Sequence, residues 1–281
     1  MKNVLILFFL FINTAYASLP KNNLQIPINS SFANSMTEEK FNEIANRVES
    51  FYSPIVKSKK SVLVFSKNWA DNTVNASAIR FGGTGWFVNL YGGLARHPLV
   101  TEDGFMLVIC HEMGHHLGGA PTVGGIRGFW AAVEGQADYF ATMKCMKSIL
   151  KDDDNISITE KIDVDPFLKK TCAQKNSNLN EIALCERIGM ASLSVGKLLS
   201  SLKDNAEINF ETPDTSIVRT TDKKHPKAQC RLDTYLAGIV CDNTDEMDRK
   251  DPLLGACLKR DGYTEGLRPL CWYKPEKREI K

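Results

Sequence analysis

The chain has 281 residues, 43% of them apolar, and a formal net charge of +2. That composition supports one globular domain, with or without an appendage, and excludes a disordered chain. Its charges form no basic stripe, which argues against a nucleic-acid partner.

Met1-Lys2-Asn3, an apolar run over 4–12 and Ala15-Tyr16-Ala17 together describe a secretory signal peptide, residues 1–17, cut after Ala17. No later run approaches the roughly 20 apolar residues that a spanning helix needs. The mature chain is therefore expected to be exported, to a periplasm or the medium, without a transmembrane segment. Residues 18–34 are polar and turn-rich and suggest an extended arm. Ser35-Met36-Thr37-Glu38 fits a capping box, after which Phe41, Ile44, Ala45, Val48 and Phe51 keep helical spacing. Strands are expected over 61–66, 75–80 and 85–91, the last two around a glycine-rich turn.

Thr101 can cap a helix with Glu102 and Asp103 in its first turn, running through Phe105, Val108 and Ile109 to the histidines. Gly118-Gly119 and Pro121 would end it. Further helices are expected over 127–150, 179–203 and 225–241, with Pro226 in the first turn of the last. Strands come first and helices dominate the second half, so the fold class is α+β. One domain over 18–241 and a cysteine-containing tail over 242–281 packed on it make up the rest.

Eight cysteines, an even number and with no C-x-x-C pair, favour disulfides in an exported chain. If residues 225–241 form one helix, Cys230 and Cys241 lie about 16 Å apart along it. That distance is beyond disulfide reach, which makes Cys257 and Cys271 the better partners.

Three of the five histidines sit in one stretch, His-Glu-Met-Gly-His-His over 111–116. His111 and His115, at i and i+4, share a helix face and suit one tetrahedral zinc. Glu112 lies about 100° around the helix, placed to reach a water at the metal without ligating it. His116 is off that face and reads as a structural histidine, as does His97.

Zinc needs a third protein ligand. The longer pattern with a third histidine fails, because that position is Pro121. His97 and His225 lack supporting spacing. Glu134 is the better candidate, with eighteen residues between it and His115, which leaves room for a loop and an antiparallel return helix. Asp138 follows one turn later, where it could orient a ligand histidine. Phe129, Trp130, Val133, Ala137, Phe140 and Ala141 around these carboxylates imply burial, and buried carboxylates need partners.

His111-Glu112-x-x-His115, Glu134-x-x-Ala137-Asp138 and His225-Pro226 with Arg231 six residues after the histidine resemble the gluzincin metallopeptidases. The nearer likeness is to the family of HtpX, the CAAX prenyl proteases and mitochondrial Oma-type proteases, over roughly residues 60–240. The membrane spans of several relatives have no counterpart here, nor do their sequences account for the eight cysteines. The resemblance implies a zincin-type domain with a small mixed sheet, an active-site helix and a mostly helical C-terminal half. It implies one zinc per chain, held by His111, His115 and Glu134, with Glu112 as general base and protein or peptide as substrate. His225 or Arg231 would help hold the oxyanion, with Tyr139 a weaker candidate, and residues 86–91 would be the edge strand that pairs with substrate. Two other readings compete: a non-catalytic zinc-containing binding or assembly factor, and an amidase acting on cell-wall peptides. An intact Glu112 counts against the first, since binding zinc does not require it.

Overall fold

The computed structural model describes residues 16–125, 128–203 and 205–280. The expected signal peptide lies outside this range except for its last two residues, which form β1 (Tyr16–Ala17). Helix α1 (Glu38–Ser58) is capped by Thr37, whose hydroxyl accepts from the Lys40 N–H, and not by Ser35. The shift has a local cause. Just upstream, the Asn34 side-chain amide is tied to the carbonyls of Ala95, His97 and Val100, and its oxygen accepts from the Met36 N–H. Those bonds hold residues 34–36 out of the helix, and Thr37 is the next residue with a capping side chain.

β2 (Val62–Asn68), β3 (Ala76–Phe81) and β4 (Gly85–Tyr91) follow. The sheet order is β1-β3-β4-β2, with β2 parallel to β4 and the other pairs antiparallel. This corrects the expectation that 86–91 is an edge. The whole length of β2 pairs with β4, from Val62↔Gly85 to Asn68↔Tyr91, so β4 is interior. The outer side of β3 is where a further strand can add, and β1 lies on it.

A short turn of helix, α2 (Gly92–Ala95), leads to α3 (Glu102–Leu117). Thr101 caps α3 as expected, accepting from the Gly104 N–H at 3.0 Å. Residues 104–116 of α3 are all buried, because the helix runs between the sheet on one side and the later helices on the other. A helix polar enough to hold three histidines and a glutamate is thus enclosed by apolar neighbours such as Phe105, Ile109 and Met113.

The helix expected over 127–150 begins only at Glu134. Ahead of it, β5 (Thr122–Gly125) and β6 (Gly128–Ala132) form an antiparallel hairpin. Val133 is still extended and places α4 (Glu134–Phe140) at the hairpin's exit. A π-helical stretch, Ala141–Met146, joins α4 to α5 (Lys147–Leu150). Two helices follow that the sequence reading had not placed, α6 (Asn155–Thr159) and α7 (Pro166–Lys175). Next come α8 (Leu179–Ser201), capped by Asn178, and α9 (Ala228–Val240). The chain closes with α10 (Lys277–Ile280). The result is α+β, with a small mixed sheet and a largely helical second half. Among the described residues no helix is long and apolar enough to cross a membrane.

All eight cysteines are paired: Cys110–Cys145, Cys172–Cys185, Cys230–Cys271 and Cys241–Cys257. The two cysteines of α9 each take a partner from the tail, as the helix rise requires, and four disulfides fit an exported protein. The Cys230–Cys271 bond sets Trp272 in a small cluster with Val133 and Tyr273. The Trp272 indole also lies against Gly135, where an added Cβ would come within 2.3 Å of the ring. The tail therefore backs the first turn of α4. Replacing Cys230 and Cys271 together by serine opens a loop of 41-residue separation, and urea unfolding should show a loss of about 2–4 kcal/mol.

Candidate metal centre

The i, i+4 spacing sets His111 and His115 on the α3 face that meets α4, with ring centroids 4.7 Å apart. The two helices can approach because residue 114 is glycine. A Cβ there would lie 2.8 Å from the Ala137 Cα and 2.7 Å from its carbonyl oxygen. The middle of the H-E-x-x-H motif is therefore the helix crossing itself. Gly114→Ala should push α4 away, at a cost of about 1–3 kcal/mol from overpacking. It should also weaken metal binding by the candidate donor set, measured by competition with a chromophoric chelator.

The crossing brings Glu134, the first residue of α4, against both imidazoles. Its Oε2 is 3.3 Å from His111 Nε2, and its Oε1 is 3.6 Å from His115 Nε2. The donor atoms of the three buried residues all lie within 4.8 Å of one another. Ligands held at about 2.0–2.1 Å around a tetrahedral zinc stand roughly 3.3 Å apart, so these separations suit that ion. His111 Nε2 and Glu134 Oε2 are buried and have no hydrogen-bond partner among the described residues, as expected of atoms that face a cation.

The far sides of the rings are fixed. His111 Nδ1–H donates to Asp138 Oδ1 at 2.7 Å, and His115 Nδ1–H donates to the Ala132 carbonyl at 2.8 Å. In the neutral imidazole each bond puts the proton on Nδ1 and leaves the Nε2 lone pair directed at the centre. Ala132 belongs to β6, so the hairpin that replaced the expected helix supplies one of the two anchors. Asp138 is gripped in turn by Arg231, with Nε to Oδ2 and Nη2 to Oδ1 both 2.7 Å. The Arg231 Nη2 also lies 3.3 Å from the Tyr235 hydroxyl, and its Nη1 donates to the Ser18 carbonyl at 2.8 Å.

Electrostatics follow from burial and these contacts. Burial by itself would raise the Asp138 carboxyl, but Arg231 and His111 hold it far below the ordinary value. Burial likewise opposes ionisation of Glu134, and its histidine neighbours outweigh it, bringing the value to about 2. His111 is driven down by burial and up by Asp138 and Glu134, the second effect winning at about 9. Burial takes His115 down to about 4. Glu112 is wholly buried, neither of its oxygens has a hydrogen-bond partner among the described residues, and burial pushes it up to about 8.

Of the other expected site residues, His225 stands at the rim, 30% exposed, with Nε2 3.5 Å from Glu134 Oε2. Arg231 lies 4.0 Å from Glu134 but is fully buried and committed to Asp138 and Ser18. His116 turns away from the centre. Its ring is stacked between Trp86 and Trp130, accepts from Arg80 Nε and meets the Phe87 carbonyl. His97 accepts the Leu99 N–H, and the Tyr139 hydroxyl donates to the Gly266 carbonyl within the core. Sequence reasoning missed Ala132, Tyr235 and Ser18. Only Tyr235 had a signal, at i+4 from Arg231. A second cluster, Asp214 with Cys230 and Cys271, offers no metal site because the two sulfurs are bonded to each other.

Compared with protein-family profiles, with curated proteins and with solved structures, the chain gives no significant match to any of the three.

Proposed function

We propose that the protein is an exported zinc metallopeptidase of gluzincin type, with a zincin-like domain. The observation that carries this reading is the convergence of His111, His115 and Glu134, with a buried Glu112 beside them. His111, His115 and Glu134 hold the ion. Zinc at such a site polarises a carbonyl and lowers the pKa of a water toward about 7.

Glu112 supplies the acid–base function. Its carboxylate takes the proton of the attacking water and later gives it to the leaving amine. The dry setting raises the basicity of the Glu112 carboxylate above that of an exposed one. Asp138, clamped by Arg231, keeps His111 in the ligating tautomer. His225, at the rim beside Glu134, is the group placed to donate to a developing oxyanion, because Arg231 is already engaged. The signal-peptide reading of 1–17 and an oxidising compartment belong to the same proposal.

The test is the metal content of the purified chain together with its cleavage of denatured casein. One zinc per chain with cleavage supports the reading. A chain that takes up no zinc at neutral pH would end it.

A further inference from the structure

Ser18 and Leu19 open a polar, turn-rich part of the chain, yet they are 2% and 1% exposed. Their backbone continues the β1 pairing on the outer side of β3. Tyr16 lies opposite Ala78 and Ala17 opposite Ser77. The Ser18 N–H then donates to the Ala76 carbonyl at 3.2 Å, and the Leu19 N–H to Asn75 Oδ1 at 3.2 Å. At that point the Ser18 carbonyl accepts from Arg231, and the Ser18 side chain borders the Glu112 carboxylate. Leu19 packs into the main apolar core. An extended segment thus adds to a sheet edge by its main chain, presents one carbonyl to a buried cation beside the donor set, and buries the next side chain. That is the form of a captured peptide.

We propose that Ser18 and Leu19, the first residues left by cleavage after Ala17, are an internal occupant of the peptide-binding edge and cover the metal centre in the mature chain. The ligand class for this edge is an extended polypeptide that displaces the segment and pairs antiparallel with residues 76–78. It would place a small residue where Ser18 lies and an apolar one where Leu19 lies. The word substrate here rests on the peptidase reading, but the covering of the centre does not.

Two single variants of the chain beginning at Ser18 release the segment without touching the donor set. Leu19→Asp puts a charge into the apolar core, and Asn75→Ala removes the acceptor of the Leu19 N–H. Each is loaded with zinc and read three ways: amide hydrogen exchange over 76–81, the rate at which dipicolinate extracts the metal, and casein cleavage. Faster exchange is expected, with extraction and cleavage each up by about tenfold, on the order of the effect of one lost buried hydrogen bond. Unchanged extraction in both variants, whether or not exchange rises, overturns the proposal. Faster extraction without cleavage by any form leaves the cover standing and removes the peptidase reading instead.

Discussion

Glu112→Gln should retain one zinc per chain and lose casein cleavage by a factor of about 10²–10⁴, the usual contribution of a positioned general base. The change is nearly isosteric, and the amide can keep the contact with the Ser18 side chain, so the fold is little disturbed. It also removes a carboxyl that burial already disfavours as an anion, and thermal unfolding should be unchanged or slightly raised. The proposed donor set, His111, His115 and Glu134, is left alone by the substitution. Zinc analysis and turnover on the same preparation therefore separate the two roles. A variant that cleaves casein at the wild-type rate would remove Glu112 from the mechanism, and one that lost its zinc would make it a ligand.

The second large effect is expected at Arg231. Arg231→Ala leaves Asp138, which is completely buried, without its cation. Removing one partner of such a pair costs about 3–5 kcal/mol. Because Asp138 orients His111, zinc affinity should also fall by about 10–100-fold. Arg231→Lys restores the charge but not the two-pronged geometry of Nε and Nη2, and should recover only part of both losses. The pH dependence has a definite sign. The native state holds Asp138 well below its ordinary value of about 3.9, so the pair stabilises above that pH and its contribution disappears as pH falls through the native value. The gap between wild type and Arg231→Ala in urea unfolding should be full at neutral pH and shrink below about pH 4. A gap that widened in acid would show that the arginine does something other than hold this carboxylate.

What could be read in the sequence was what a single helix encodes. The face shared by His111 and His115, the cap at Thr101 and the one-turn offset of Asp138 from Glu134 all follow from 3.6 residues per turn, and all appear in the structure. The hairpin was not legible. Residues 128–133, Gly-Phe-Trp-Ala-Ala-Val, form a short apolar run that suits a strand or a buried helix equally, and periodicity does not separate the two. Strand order was hidden for a different reason. Alternation in 85–91 shows that a strand exists, but which strands flank it depends on a parallel pairing with 62–68 that leaves no local trace. The exclusion of a Cys230–Cys241 bond succeeded because it needed only a helix length. Arg231 was placed near the site by its spacing from His225, while its actual partner, Asp138, is 93 residues away.

The Cys110–Cys145 bond has a topological consequence. It closes a covalent ring of chain, and His111, Glu112, His115, Glu134 and Asp138 all lie on that ring. A proteolytic nick anywhere in the hairpin between α3 and α4 would create two new chain ends without separating the histidines from the glutamate. While the bond is oxidised, a clipped molecule keeps its donor set in one piece. Once it is reduced, the same nick leaves the two halves of the centre on fragments joined by no covalent link. Resistance to clipping at this site is therefore a property the centre has only where thiols are kept oxidised.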